Sequence, residues 1–121
     1  MAGEIRFNAT LQVVNGQINS KLFKDIRADQ TTAGAVSRTQ TVPTSDTVIS
    51  LVGVTAARAI LIQNMDATNY IDIGPTVAGA IAPMMRLRAG EVGLCPLVPS
   101  VFLRGQANTG AVTVAYMLAE T

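Results

Sequence analysis

The sequence predicts an all-β protein, a single-domain antiparallel β-sandwich or jelly roll. Apolar and polar residues alternate along several segments of strand length, and turn-forming residues recur roughly every 8–12 residues. No apolar stripe of helical period occurs along the chain. These observations indicate about seven to nine short strands, a number typical of a sandwich. The 121 residues suit one domain, because domains most often contain roughly 100–150 residues.

The first predicted element is an N-terminal hairpin over residues 1–24. Its first strand alternates apolar and polar residues from Ile5 to Val13, which is typical of a half-buried strand. Asn15-Gly16 follows, and this dipeptide favours the type I′ turn that joins antiparallel strands. A returning strand is predicted over residues 17–24.

Residues 25–46 show little periodicity and are rich in Thr, Ala, Ser and Gln. We expect an irregular loop here, with one short strand around residues 39–42, or an extended arm that becomes ordered against a neighbour. We place no domain boundary in this segment, because the strand pattern resumes at once. The main sandwich is predicted over residues 47–121.

The main sandwich begins with a continuous apolar run over residues 47–54, which favours a strand covered on both faces. Two apolar runs, residues 59–62 and 70–73, flank a polar corner, and we interpret them as a β-hairpin. We expect Pro75 to end the second strand, because proline has no N–H to donate. Residues 76–82 are small and rich in Gly and Ala, which predicts a flexible loop.

The C-terminal part contains further strand and turn signals. Short strands are predicted over residues 83–88, 92–97 and 100–104, followed by a turn over residues 105–110. The last strand, residues 111–118, alternates apolar residues with Thr113 and Ala115. No internal repeat is visible.

Composition narrows the classes of function. Hydrophobic residues make up 49% of the chain and charged residues only 14%, against roughly 25% charged in an average domain. We therefore expect part of the exterior to be buried against other subunits. The net charge of +1 supplies no field that attracts nucleic acid or an anionic membrane, so neither is expected as a partner.

The residues of common enzyme chemistry are scarce. The chain has no histidine, which removes the commonest general base and metal ligand, and Cys95 is its one cysteine. We expect Cys95 to be a buried, inert thiol. No phosphate-binding loop, zinc spacing or nucleophile elbow is present, so the sequence predicts neither an enzyme nor a bound cofactor. The N-terminus lacks the apolar core of a secretory signal, which favours a cytosol-like compartment.

The polar corner contains Asn64, Asp66, Thr68 and Asn69. Their oxygen atoms could bind a hard cation such as Ca²⁺. We favour a structural turn, in which these side chains bond their own backbone, because one carboxylate is too few for a calcium site.

Two carboxylate pairs, Asp66 with Asp72 and Asp72 with Glu91, could act as a general acid and base of the glycosidase type. The chain has no tryptophan and few other aromatic residues on which a sugar could stack. We therefore favour solvated or turn-capping carboxylates.

Three arginines, Arg86, Arg88 and Arg104, form the candidate interface. Arg86 and Arg88 alternate along one predicted strand and so share a face. Arginine suits bidentate ion pairs at interfaces. We favour an intersubunit role over a nucleic-acid or phosphate site, because neighbouring acidic residues cancel the positive field.

Several motifs resemble those of small virion proteins of tailed bacteriophages. In that group a strand ends in an N-x-D-A-T-N-Y corner, a later strand enters R-L-x-A-G-E, and an A-N-T-x-A-V strand closes the chain. The corresponding stretches here are A-T-L-Q-V-V-N-G at residues 9–16, N-M-D-A-T-N-Y-I-D-I-G at 64–74, R-L-R-A-G-E at 86–91 and A-N-T-G-A-V-T-V-A-Y-M-L-A-E at 107–120. The resemblance covers most of the chain outside residues 25–46 and transfers no active-site residues.

The resemblance implies a β-sandwich virion component assembled in the host cytoplasm. We expect a capsid decoration (cement) protein, a homo-oligomer with a trimer favoured, that binds the major capsid protein or other virion proteins. It would stabilise the shell by binding only its assembled state. The alternatives are a tail, baseplate or fibre-adaptor component, or a receptor- or carbohydrate-binding module at the virion surface.

Overall fold

The computed structural model describes residues 3–15, 18–30, 35–50, 57–97 and 103–120. Within these ranges the chain forms antiparallel strands and no helix, which confirms the all-β prediction. Two compact units are present, Met1–Ala33 with Thr121 and Gly34–Glu120. The strands are β1 (Gly3–Asn15), β2 (Ile18–Gln30), β3 (Ala35–Val42), β4 (Thr47–Val48), β5 (Ala57–Asn64), β6 (Ile71–Val77), β7 (Ala80–Ile81), β8 (Met85–Leu87), β9 (Val92–Pro96), β10 (Leu103–Ala107) and β11 (Val112–Glu120).

The first unit is a two-stranded hairpin of β1 and β2. Its register pairs Asn15 with Ile18 at one end and Gly3 with Gln30 at the other. The two predicted strands are present, and β2 continues beyond the expected end at residue 24. The predicted turn at Asn15-Gly16 falls partly outside the described residues.

Residues 25–46 differ from the expected irregular loop or arm. Residues 25–30 belong to β2, where they pair with the start of β1. Residues 35–42 form β3, which pairs with β11 along its whole length. Their polar composition hid these strands, because each lies at or beside a sheet edge where polar residues are tolerated. Residues 43–46 do connect two strands without regular structure of their own.

The second unit is a sandwich of two sheets. A four-stranded sheet has the order β3-β11-β5-β9, and a five-stranded sheet has the order β4-β10-β6-β7 with β8 also paired to β6. Side chains from both sheets form one buried core, which confirms the predicted β-sandwich. The jelly-roll topology stays a prediction. The core contains Val42, Ile49, Ala57, Ile60, Ile62, Ile71, Ile73, Leu87, Leu103, Ala107, Val112, Val114, Tyr116 and Leu118.

The alternation predicted in the last strand is confirmed in β11. Val112, Val114, Tyr116 and Leu118 are buried in the core, and the residues between them lie on the opposite face. The Tyr116 hydroxyl donates to the carbonyl of Ser50 at 2.7 Å. This bond gives the phenol a polar partner at the margin of the core.

The hairpin predicted around the polar corner is wrong in its pairing. The strands are present as β5 and β6, but β5 belongs to the four-stranded sheet and β6 to the five-stranded sheet. Residues 65–70 therefore carry the chain from one sheet to the other. The sequence could not distinguish the two arrangements, because an Asx-rich turn between apolar strands is compatible with both.

Four other boundaries differ from expectation. Strand β6 does not end at Pro75 but continues to Val77. The Pro75 carbonyl accepts from the N–H of Ala82, which lies in the irregular gap between β7 and β8. Proline is tolerated beside such a gap, where no regular ladder needs its N–H. The expected loop at residues 76–82 is mostly a short hairpin, in which the end of β6 pairs with β7 across a tight turn at Ala78-Gly79. Strand β10 extends to Ala107, into the predicted turn.

Of the predicted strand at residues 47–54, β4 covers Thr47–Val48 and residues 51–54 lie outside the described ranges.

Candidate functional site

The polar corner, defined as residues 64–69, is held by its own side chains. Asn64 is fully buried. Its amide donates to the carbonyls of Asn69 at 2.8 Å and Leu87 at 3.0 Å, and its oxygen accepts from the N–H of Asp66 at 2.8 Å. One side chain thus satisfies three backbone groups where the chain leaves β5.

Asp66 completes the turn. Its carboxylate accepts from the backbone N–H groups of Asn69 and Thr68 and from the Thr68 hydroxyl. The bonds from the backbone of Asn69 and then of Thr68 lower the pKa of Asp66 below its ordinary value of 3.8. The carboxylate is therefore used as a turn acceptor.

Three of the motifs that carry the resemblance meet at this corner. The N–H of Gly90, in R-L-R-A-G-E, donates to the carbonyl of Asn64 at 3.0 Å. The Thr109 hydroxyl, in A-N-T-G, donates to Asn69 Oδ1 at 2.8 Å, and the N–H of Asn108 donates to the carbonyl of Tyr70 at 3.2 Å. The corner therefore joins segments that are distant in the sequence.

The carboxylates weighed as acid–base pairs have separate partners. Asp72 binds Arg86, while Glu91 Oε2 accepts from the N–H of Arg88 at 2.7 Å. Asp66 holds the turn. Among the described residues, no group of three or more His, Cys, Asp or Glu side chains could hold a metal ion. The geometry around each carboxylate is that of a structural acceptor.

Arg86 lies on the outer face of the five-stranded sheet. Its Nε and Nη2 donate to the two oxygens of Asp72 at 2.7 and 2.9 Å, a bidentate pair. The guanidinium also lies over the Tyr70 ring, 3.8 Å from the ring centroid. The direct bond to Asp72 raises the pKa of Arg86 above its ordinary value.

Arg104 lies on the same outer face, on the other side of β6. Its Nη1 pairs with Asp46 at 3.1 Å, and its Nε donates to the Thr76 hydroxyl at 2.9 Å. The second oxygen of Asp46 accepts from the N–H of Ile81 at 2.9 Å, so this pair also fixes the β6–β7 turn. We call the surface containing Asp46, Asp72, Thr76, Arg86 and Arg104 the paired face.

The structure therefore places two of the three candidate interface arginines together. Arg88 follows β8 and is exposed, and its backbone closes the turn with Glu91. The guanidinium groups of Arg86 and Arg104 are already bonded within the chain. Their interface role stays a prediction.

Cys95 lies in β9 at intermediate exposure and packs against the core. Its thiol donates to the carbonyl of Pro96 at 3.3 Å. Burial raises the pKa of the Cys95 thiol, which lowers the population of the reactive thiolate. These surroundings suit an inert thiol.

The four-stranded sheet has a very different outer face. Residues of β11 that point away from the core align through the strand register with residues of the other three strands. None of the aligned residues is charged. We call this surface the uncharged face, and it contains Ser37, Thr39, Thr41, Ala59, Leu61, Gln63, Val92, Leu94, Pro96, Thr113, Ala115, Met117 and Ala119.

Large apolar side chains lie open on the uncharged face. Leu61, Met117 and Val92 are 43%, 51% and 54% exposed. Met117 is directly opposite Leu61 in the register, and Leu61 is directly opposite Leu94. They form an apolar row across the middle of the sheet.

Sequence reasoning did not find this face. The alternation in residues 111–118 marks Thr113, Ala115 and Met117 as facing away from the core. It does not identify β5 and β9 as the neighbours that add Leu61 and Leu94, because those pairings are non-local. The missing information was the strand order.

No family model, curated protein or solved structure matches the chain. Within the described ranges, no helix is long and apolar enough to cross a membrane.

Proposed function

We propose that the chain is a bacteriophage virion structural protein, a capsid decoration protein that stabilises the assembled shell through protein–protein contacts. The observation that carries the proposal is the contrast between its polar groups and its open surface. The corner and paired-face groups are bonded within the chain, while Leu61, Met117 and Val92 lie open on a face without charge. Such a surface serves contact with another protein.

The motif resemblance supports the choice of a virion. Three of the segments that carry the resemblance meet in space and hold the sandwich together: the polar corner, the R-L-R-A-G-E turn and the A-N-T-G turn. The residues that carry the resemblance therefore build the scaffold, which suits a structural role.

We assign the shell contact to the hairpin of β1 and β2. Within the described residues β1 and β2 form a separate two-stranded sheet, and strand edges are surfaces on which another chain can dock. Leu11, near the middle of β1, is 69% exposed. A protein that binds the assembled shell but not free capsid subunits stabilises the shell by mass action.

The test uses phage particles that lack this protein, with the purified protein added back. We expect the protein to co-sediment with the heads and to raise their resistance to heat and osmotic shock. The Leu11→Lys variant should bind fewer copies per head, while Val77→Lys, a matched change at an exposed residue of β6, should bind as the wild type does. Binding to tails alone, or unchanged resistance of saturated heads, would overturn the proposal.

A further inference from the structure

The uncharged face is suited to contact with an identical surface. Two copies related by a two-fold axis bring the same residues together, so a charged patch would meet its own charge. Like charges that face each other across an interface disfavour association strongly. Ser37, Thr39, Thr41, Gln63 and Thr113 supply only neutral polar groups at the sides of the apolar row.

The size of the face limits the area that such a contact can bury. Four strands about 4.8 Å apart, with about seven residues each at about 3.3 Å, cover roughly 400 Å² in projection. Because side chains project from the sheet, the solvent-accessible area of the face is larger than this projected area. A standard stable interface buries about 800 Å² per partner. The face therefore supplies much of a standard interface and fits a reversible contact.

We propose that the uncharged face binds the uncharged face of a second copy, which produces a two-fold dimer of stacked four-stranded sheets. The apolar row of Met117, Leu61 and Leu94 lies at its centre. Stacked sheets pack about 10 Å apart with their side chains interdigitated, as the two sheets of one sandwich do. This inference rests on the proposed contact-making function and names its first partner. It replaces the trimer favoured from the sequence with a dimer.

The first test is sedimentation velocity of the purified 121-residue chain without any virion component. We expect a reversible monomer–dimer equilibrium in the micromolar range. Leu61→Lys and Met117→Lys each place two like charges in the contact and should raise the dissociation constant about 100-fold. Val77→Lys makes the same chemical change at a residue 59% exposed in the other sheet and should leave it unchanged.

The second test does not depend on weakening the contact. Facing residues of sheets stacked about 10 Å apart are too distant for a direct disulfide but lie within reach of a thiol–thiol cross-linker of about that length. Ala115→Cys in a Cys95→Ser background should therefore be cross-linked into a covalent dimer. Val77→Cys in the same background is the control and should not be cross-linked, although it still forms the non-covalent dimer. Circular dichroism and thermal melting check that every variant is folded.

Two results would overturn the inference: a wild-type monomer throughout the micromolar range, or dimers that survive Leu61→Lys and Met117→Lys. Cross-linking at Val77→Cys but not at Ala115→Cys would show that another surface associates. Because these tests use the isolated protein, a dimer that never binds heads would contradict the proposed decoration function alone.

Discussion

The paired face and the uncharged face cover opposite sides of one sandwich and use their side chains differently. On the paired face, Arg86 is bonded to Asp72 and Arg104 to Asp46. On the uncharged face, Leu61 and Met117 are about half exposed, at 43% and 51%, and the aligned residues carry no charge. The paired face thus carries two charged pairs that are satisfied within the chain, whereas the uncharged face exposes apolar side chains instead.

The contrast between the two faces separates substitutions that change folding stability from those that change association. Substituting a group that is bonded within the chain should change the stability of the fold. Substituting a group that is open on the uncharged face should change association and leave stability almost unaltered. Neighbouring residues on one strand allow this comparison, because successive side chains point to opposite faces.

The largest stability effect is expected for Asn64→Ala. The change removes the partner of the Asn69 and Leu87 carbonyls and of the Asp66 N–H, so buried backbone groups lose their bonds. We expect the free energy of unfolding to fall by about 3–4 kcal/mol. Gln63→Ala, one residue earlier and on the uncharged face, should change it by less than about 0.5 kcal/mol. Urea unfolding of both variants measures the contrast, and equal losses would contradict it.

A smaller loss is expected for Gly74→Ala, on the outer side of the five-stranded sheet. A β-carbon at this position would overlap the backbone carbonyl of Ala82, which side-chain rotation cannot relieve. Overpacking of this kind lowers the free energy of unfolding by about 1–3 kcal/mol. Ala115→Val adds atoms to the open uncharged face and should change it by about 0.5 kcal/mol or less. If thermal melting shows the two variants equally destabilised, the proposed difference between the faces is incorrect.

The smallest effect is the pH dependence contributed by Asp66. Its pKa in the folded chain is lower than in the unfolded chain, so its contribution to stability is present above about pH 3.8 and is lost as the pH falls through the folded pKa. Asp66→Asn has no carboxylate to titrate. The stability difference between wild type and Asp66→Asn should therefore shrink below about pH 3.8. Urea unfolding over a pH series measures this difference, and a gap independent of pH would contradict the assigned role.

Local patterns predicted the local part of this structure. The alternation in β11 and in β1 marked both as strands. The residue types at 64–69 suggested a corner whose side chains bond the backbone, and the contacts of Asn64 and Asp66 have that form. These features depend on neighbours within a few residues, which a sequence displays directly.

The parts that failed depend on distant partners. Strands β5 and β6 looked like a hairpin, yet each pairs with segments far along the chain. Residues 35–42 looked irregular because they form an edge strand, which tolerates polar residues, and the partner that would reveal the strand, β11, lies at the other end of the sequence. The uncharged face combines four strands, and no single strand has enough exposed apolar residues to indicate a binding surface.

Whether the uncharged face is the contact surface can be tested directly on two methionines of the unmodified protein. Met117 lies on the uncharged face and Met84 near the paired face, with exposures of 51% and 62%. Oxidation of each by hydrogen peroxide is followed by mass spectrometry in dilute and in concentrated protein. If the uncharged face is the contact surface, Met117 oxidation should slow by about 5-fold or more as concentration rises, while the Met84 rate stays constant. Equal rates for Met117 at both concentrations would contradict the account.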